Sequence, residues 1–302
     1  MNDFQKYLST CLFATAALLV GASPAFAANA PSLGTASSFA VLSAAPGGGG
    51  AVTCTRSTIN GDVGSSGPMA SVVQTRCKIT GAVIAPVSAQ VLTDFNTAYD
   101  QYAGISCTGS LATAYTDTTL TLTPGVYCNS DAAGVTFTNT TLTLDGQGDA
   151  NAVWIFKIGT LGTGALTGTN FSVVMANGGQ PCNVYWWVAQ AATMTTTGFQ
   201  GTILAGAAIT ITGLAGTPTT TTFNGDALAK AAVTLTDVIV TGCNATGGGK
   251  SQSKCNQGVG NGPENCDPGN SNQSTVFPFA PNSNDEVGGV PGKPGRKGGN
   301  NK

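Results

Sequence analysis

Few residues in this chain are equipped for catalysis. Its 302 residues include no histidine, so neither a Ser–His nor a Cys–His nucleophile can be assembled. Between positions 31 and 243 there are nine aspartates and no glutamate. Asp145 and Asp149 come nearest to a carboxylate pair, but both lie in Leu144-Asp145-Gly146-Gln147-Gly148-Asp149. Aspartates in such turns hydrogen-bond their own backbone. A parallel β-helix that cleaves polysaccharides would combine clustered carboxylates, calcium and basic residues. The same span offers only Arg56, Arg76, Lys78, Lys157 and Lys230 to grip an acidic sugar. With no histidine and no Cys-x-x-Cys, a metal centre is not expected. The Gly178-Gly179 pair forms no phosphate-binding fingerprint. The reading is a protein without catalytic residues, metal or cofactor.

What remains is an array of hydroxyls and methyls. Ala192-Thr193-Met194-Thr195 returns as Ile209-Thr210-Ile211-Thr212 and as Val233-Thr234-Leu235-Thr236. Gly201-Thr202-Ile203-Leu204-Ala205 returns as Gly225-Asp226-Ala227-Leu228-Ala229. Such self-similarity marks stacked supersecondary units, and the apolar/threonine alternation marks half-buried strands. The apolar residues point inward together, and the threonines form a ladder on one flat face. Thr136 and Thr138 in Thr136-Phe137-Thr138, and Thr160 in Thr160-Leu161-Gly162, read as weaker copies that extend the ladder to five rungs. Alternate threonines on a strand lie about 6.6–6.8 Å apart and stacked strands about 4.7–4.9 Å apart. A grid with those spacings is close to the repeats of a crystalline water surface. The β-branched side chain is stiff at χ1, so the grid is ordered before anything binds.

The elements that position this face follow from the rest of the chain. Charged residues are only 9%, glycines number 42 and net charge is −2. That composition suits a long β-architecture with many tight turns and leaves no electrostatic footprint for nucleic acid. Residues 1–27 read as a secretory signal: Lys6, the apolar Leu12–Gly21 and a small-x-small site at Ala25-Phe26-Ala27. No second apolar run long enough to span a membrane follows. Cys11 leaves with the signal, and eight cysteines remain, an even count that reads as disulfides in an exported chain. The expected pairs are Cys54–Cys77, Cys107–Cys128, Cys182–Cys243 and Cys255–Cys266, although the count does not itself fix the connectivity.

Short strands alternate with glycine and asparagine turns from Leu33 to Val83, with Asn60–Gly64 as a turn cluster and Gly47–Gly50 as a mobile loop. Between 86 and 103, Val91, Leu92, Phe95, Ala98, Tyr99 and Tyr102 recur with helical spacing, Pro86 stands near the start and Gly104 at the end. This apolar stripe needs a partner, and the flank of the β-stack is the expected one. Val153-Trp154-Ile155-Phe156 and Val184-Tyr185-Trp186-Trp187-Val188 read as strands covered on both faces, their aromatics in the core. Residues 245–302 are rich in Gly, Asn, Pro and Ser and read as a largely disordered tail, with a role in surface attachment open.

Several phrases together resemble the large microbial ice-binding protein family. They are Leu33–Leu42, Gly61-Asp62-Val63-Gly64, the helix segment Ala89–Tyr99, Leu122–Tyr127, Leu144–Phe156, Asn183–Trp186, Gly201–Ala205 and Ala232–Leu235. The resemblance covers about 33–242. It implies a mainly β fold: a right-handed parallel β-solenoid (β-helix) with one long α-helix packed alongside, within a 28–244 domain. It also implies a secreted, extracellular, monomeric protein that adsorbs to the ice crystal surface and inhibits ice growth and recrystallisation, with no enzyme activity. The threonines at 193, 195, 210, 212, 234 and 236 fall on segments that the family would place on its ice-facing side. Two departures stand out: Asp226 where the family often has arginine, and the insertion Gly213–Thr222. An adhesin or structural solenoid binding glycan or protein is the alternative use of the same face.

Overall fold

The computed structural model describes residues 30–196, 198–213 and 221–244. Residues 1–27, read above as a secretory signal, lie outside these residues, as do the 245–302 tail, the expected Cys255–Cys266 pair and most of the Gly213–Thr222 insertion. Strands pair in parallel, one coil above the next, so the chain winds into a stack with three faces. This is the expected mainly β, parallel solenoid with one long helix. The stack is not in chain order. Phe39–Ser43 pairs with Ala227–Ala229, so the first coils dock onto the last. The chain then crosses to the far end of the stack through one helix, α1 (Ala89–Gly104), and returns coil by coil.

α1 starts three residues later than its pattern suggests, because Ser88 caps it: the Ser88 hydroxyl accepts the Val91 N–H at 3.4 Å. Gly104 is its last residue, as the pattern placed it. Its apolar stripe, Val91, Phe95, Ala98, Tyr99 and Tyr102, is buried against Leu42, Ile155, Trp187, Leu204 and Leu228 of the nine-stranded sheet. Tyr99 lies tilted against Trp187, ring centroids 5.3 Å apart, and its hydroxyl donates to the Val188 carbonyl at 3.0 Å. That burial raises the Tyr99 pKa to about 12. Lys157 is buried on the same sheet, and its ammonium donates to the Ile105 carbonyl, 2.5 Å away, at the C-terminal end of α1. A cation suits the negative pole there, while burial lowers its pKa.

Asp94, on the outer side of α1, ties the helix to the first turn of the domain. Its carboxylate accepts the Thr35 N–H at 2.8 Å, the Thr35 hydroxyl at 2.7 Å and the Gln90 amide at 2.7 Å. These bonds, the Thr35 N–H first, hold its pKa below the usual 3.8. A carboxylate depressed in the fold contributes stability that is complete above 3.8 and lost as pH falls through the lower folded value. Thr35→Val is therefore expected to move the Asp94 midpoint upward in a carboxyl NMR titration, and to make acid unfolding begin at higher pH.

The interior is a column of aromatic rings. Phe137 and Phe171 stack at 4.2 Å, Phe156 and Trp186 at 4.0 Å, and Phe199 and Phe223 at 5.5 Å. Trp154 and Trp186 are fully buried, as strands covered on both sides require. Three expected disulfides are present, Cys54–Cys77, Cys107–Cys128 and Cys182–Cys243, with Cα–Cα distances of 5.7, 5.8 and 5.6 Å. One loop expectation fails. Asp62–Ser65 is a strand, and only Gly61 (φ 132°) turns the corner. The Gly47–Gly50 loop is anchored at Gly50, which is buried so closely against Ser43 and Ser66 that a Cβ would lie 2.5 Å from the Ser66 hydroxyl.

Candidate functional site

The three copies found in the sequence sit side by side, in the register their pattern predicts. Thr193 pairs with Thr210 and Thr210 with Thr234, while Thr195 pairs with Thr212 and Thr212 with Thr236. The inward residues Ala192, Met194, Ile209, Ile211, Val233 and Leu235 are buried. Thr136 and Thr138 join the same face through Thr167 and Thr169, and Thr167 pairs with Thr193.

The face is larger than the five rungs expected. Beyond Thr234 and Thr236 the next coil supplies Thr53 and Thr55, and the one after it Val73 and Thr75. At the other end Thr136 and Thr138 pair with Ala114 and Thr116. One column thus reads Ala114, Thr136, Thr167, Thr193, Thr210, Thr234, Thr53, Val73, with six threonines in succession. Eight rungs extend about 33 Å along the stack. The second column carries Thr116, Thr138 and Thr169, then Thr195, Thr212, Thr236, Thr55 and Thr75. It is interrupted once: past Gly168–Met194 the ladder breaks, and the Asn170 N–H donates to the Thr195 hydroxyl at 3.1 Å.

A third, alanine column flanks the first. The Leu166 N–H donates to the carbonyl of Ala191, Ala192 to Ala208, Ile209 to Ala232 and Val233 to Ala51. Each of Ala191, Ala208, Ala232 and Ala51 stands two residues before a first-column threonine. No charged residue stands in the three columns.

Thr160 does not belong to this face. It lies in a turn between Trp154–Ile158 and Ala165–Ala176, flanked by Gly159 (φ 77°) and Gly162 (φ 90°), which bend the chain where a strand would have to run straight. Thr167 and Thr169 occupy its rung. They escaped notice because Gly168 replaces the apolar residue between them, as Cys54 does between Thr53 and Thr55. The signal was there: Ala-x-Thr-x-Thr reads through both.

At the corner beside the second column the backbone turns through left-handed residues, Asp117, Asn139, Asn170, Asp237, Arg56 and Arg76. Asn139 donates to Asp117 at 2.8 Å and Asn170 to Asn139 at 3.1 Å, an amide ladder that holds successive coils at one height. Arg56 grips Asp237 with two bonds of 2.7 and 2.5 Å. These bonds hold the Asp237 carboxyl below its usual range, the hydrogen bond contributing more than the charge. Around the corner the third face is mixed, with Ile239, Gly198 and Lys78 among its threonines, and with a concavity beside Val174, Pro181 and Gln200. Asp145 and Asp149 serve their turn as expected, accepting the N–H groups of Gln147 and Asn151 at 2.9 and 2.8 Å.

Asp226, the departure from the family pattern, is buried and structural. It accepts the Cys243 N–H at 2.8 Å and faces the Thr202 hydroxyl at 3.3 Å.

Fold and face together define a parallel β-solenoid with a helix on one flank and an uncharged threonine grid on another. A family model described as "Ice-binding-like" matches residues 46–241. The chain belongs to that family. It is 39% identical over 190 residues to an ice-binding protein of Nostoc sp. (strain HG1), covering 62% of this chain and 66% of that protein. It is 30% identical over 190 residues to an ice-binding protein of Flavobacterium frigoris (strain PS1), covering 57% of this chain and 64% of that one. The chain therefore spans just under two thirds of the length of these relatives. Among solved structures, an ice-binding protein from the Antarctic ascomycete Antarctomyces psychrotrophicus superposes with a TM-score of 0.59 at 33% identity. The match covers 70% of this chain and 98% of that one.

Proposed function

We propose that this protein binds ice through the threonine face and thereby restrains ice growth and recrystallisation. The observation that carries this reading is the column of six successive threonines in register within a face free of charge. Adsorption needs no bond to be made or broken. Methyl groups favour ordered water around them, and hydroxyls at strand spacing anchor that water in an ice-like net. Each contact is weak, so affinity requires many contacts at once. A rigid face loses little entropy on binding, and a charge in its middle would have to shed its hydration.

The same reading places the protein outside the cell. The signal-like residues 1–27 support export, and three disulfides persist best in an oxidising compartment. Among the described residues no helix is long and apolar enough to cross a membrane. Residues 28–244 carry the ice affinity, and the protein works as a monomer. The test is ice-affinity partitioning of the 28–302 protein, with crystals viewed during slow cooling. Enrichment in the ice fraction with faceted crystals is expected. Exclusion of a folded sample from ice would sink the reading and turn attention to glycan or protein ligands.

A further inference from the structure

Three of the five cations between residues 31 and 243 collect in the last two coils of the stack. Arg56, Arg76 and Lys78 line a shallow groove of about 420 Å³ with Ser57, Thr58 and Ile239. Only Arg56 is bonded to a carboxylate there, Asp237, whose charge Arg76 also feels at longer range. Among the described residues neither Arg76 nor Lys78 has an ion-pair partner within bonding distance, and both are exposed. Three cations against the one carboxylate Asp237 leave the groove with a net excess of two positive charges. Its floor is held by Cys77, joined to the interior by Cys54.

The backbone adds an independent observation. The corner positions before the third face are left-handed, and elsewhere this chain fills them with Asp117, Asn139, Asn170 and Asp237, residue types that tolerate that conformation. At the groove it places Arg56 (φ 46°) and Arg76 (φ 52°) instead. Long side chains in that region are held against local preference, a pattern found at binding sites.

We propose that this groove binds an acidic polysaccharide, with Arg76 and Lys78 gripping carboxylate or sulfate groups on successive sugars. A groove beside a corner suits a linear polymer, whereas a planar lipid surface would meet one edge of it. The occupant lies on the third face, so the threonine columns stay open. The protein could then be retained in an anionic gel while still adsorbing to ice.

The probe is immobilised alginate, with neutral dextran as control, tested on the full secreted chain at low ionic strength. Retention on alginate that falls with added salt is expected, with none on dextran. Arg76→Gln/Lys78→Gln should bind about tenfold more weakly, while Arg76→Lys/Lys78→Arg keeps the charge and the affinity. Ice partitioning of both variants should match the parent, which separates this site from the threonine face. Wild-type retention by the Gln double variant would overturn the proposal, since the cations of the 245–302 tail would then account for binding. Failure of the parent to bind alginate would overturn it too, as would tighter, groove-dependent binding to anionic vesicles.

Discussion

Thr210→Tyr is expected to remove most ice adsorption and leave the fold intact. Thr210 lies inside its column, with Thr193 on one side and Thr234 on the other. Its side chain is half-exposed and forms no hydrogen bond among the described residues, so the fold loses nothing when it goes. A phenol ring there stands above the methyls of five neighbouring threonine rungs and holds the ice lattice away from them. The loss should be on the order of tenfold in partitioning, as for a residue at the centre of a contact patch. Melting should move by less than about 0.5 kcal/mol in stability. Position sets the size of the effect. Thr75→Tyr, at the last rung, should be milder, and Thr143→Tyr on the third face should change nothing. If Thr143→Tyr proves damaging and Thr210→Tyr harmless, the third face becomes the adsorbing one.

The largest loss of stability is expected from Cys182→Ser/Cys243→Ser. This disulfide closes a span of 61 residues, against 23 and 21 for the other two. In the chain-entropy account, closing a loop of that length is worth about 4 kcal/mol and the shorter ones about 3. It also ends the last described coil, where Asp226 accepts the Cys243 N–H. Thermal unfolding followed by circular dichroism should show the lowest Tm for this variant among the three disulfide knockouts. Ice partitioning near freezing should survive, because Cys182 and Cys243 stand off the threonine face. A Tm equal to that of Cys107→Ser/Cys128→Ser would contradict the loop-length argument.

Alternation made the solenoid legible, because one inward and one outward residue per step is all that a coil strand needs. It also located eight of the face threonines, the six of the three copies together with Thr136 and Thr138. The same rule hid Thr53, Thr55, Thr167 and Thr169, whose inward neighbours are Cys54 and Gly168 rather than Ile, Val or Met. Their place depends on what the neighbouring coil supplies, and that is a matter of tertiary stacking. Thr160 failed for the opposite reason: threonine beside leucine looked like a strand, while Gly159 and Gly162 had already committed the chain to a turn. The docking of Val52–Thr55 onto Val233–Thr236 joins segments far apart in sequence, and no local pattern announces it. The grid's full size could be read only once that closure was seen.

The crossing helix acts as a gauge. Val83–Ile84 and Gly109–Ser110 are the two ends of the nine-stranded sheet, and the chain travels between them through α1. Its 16 residues measure about 24 Å, and short links on either side make up the rest of the height. Duplicating a coil would lengthen the stack by about 4.8 Å and would require about three more helical residues to match. Any enlargement of the threonine grid is therefore coupled to a change in a segment that never touches it. The footprint of this protein is set, in effect, by the length of a rod on its far side.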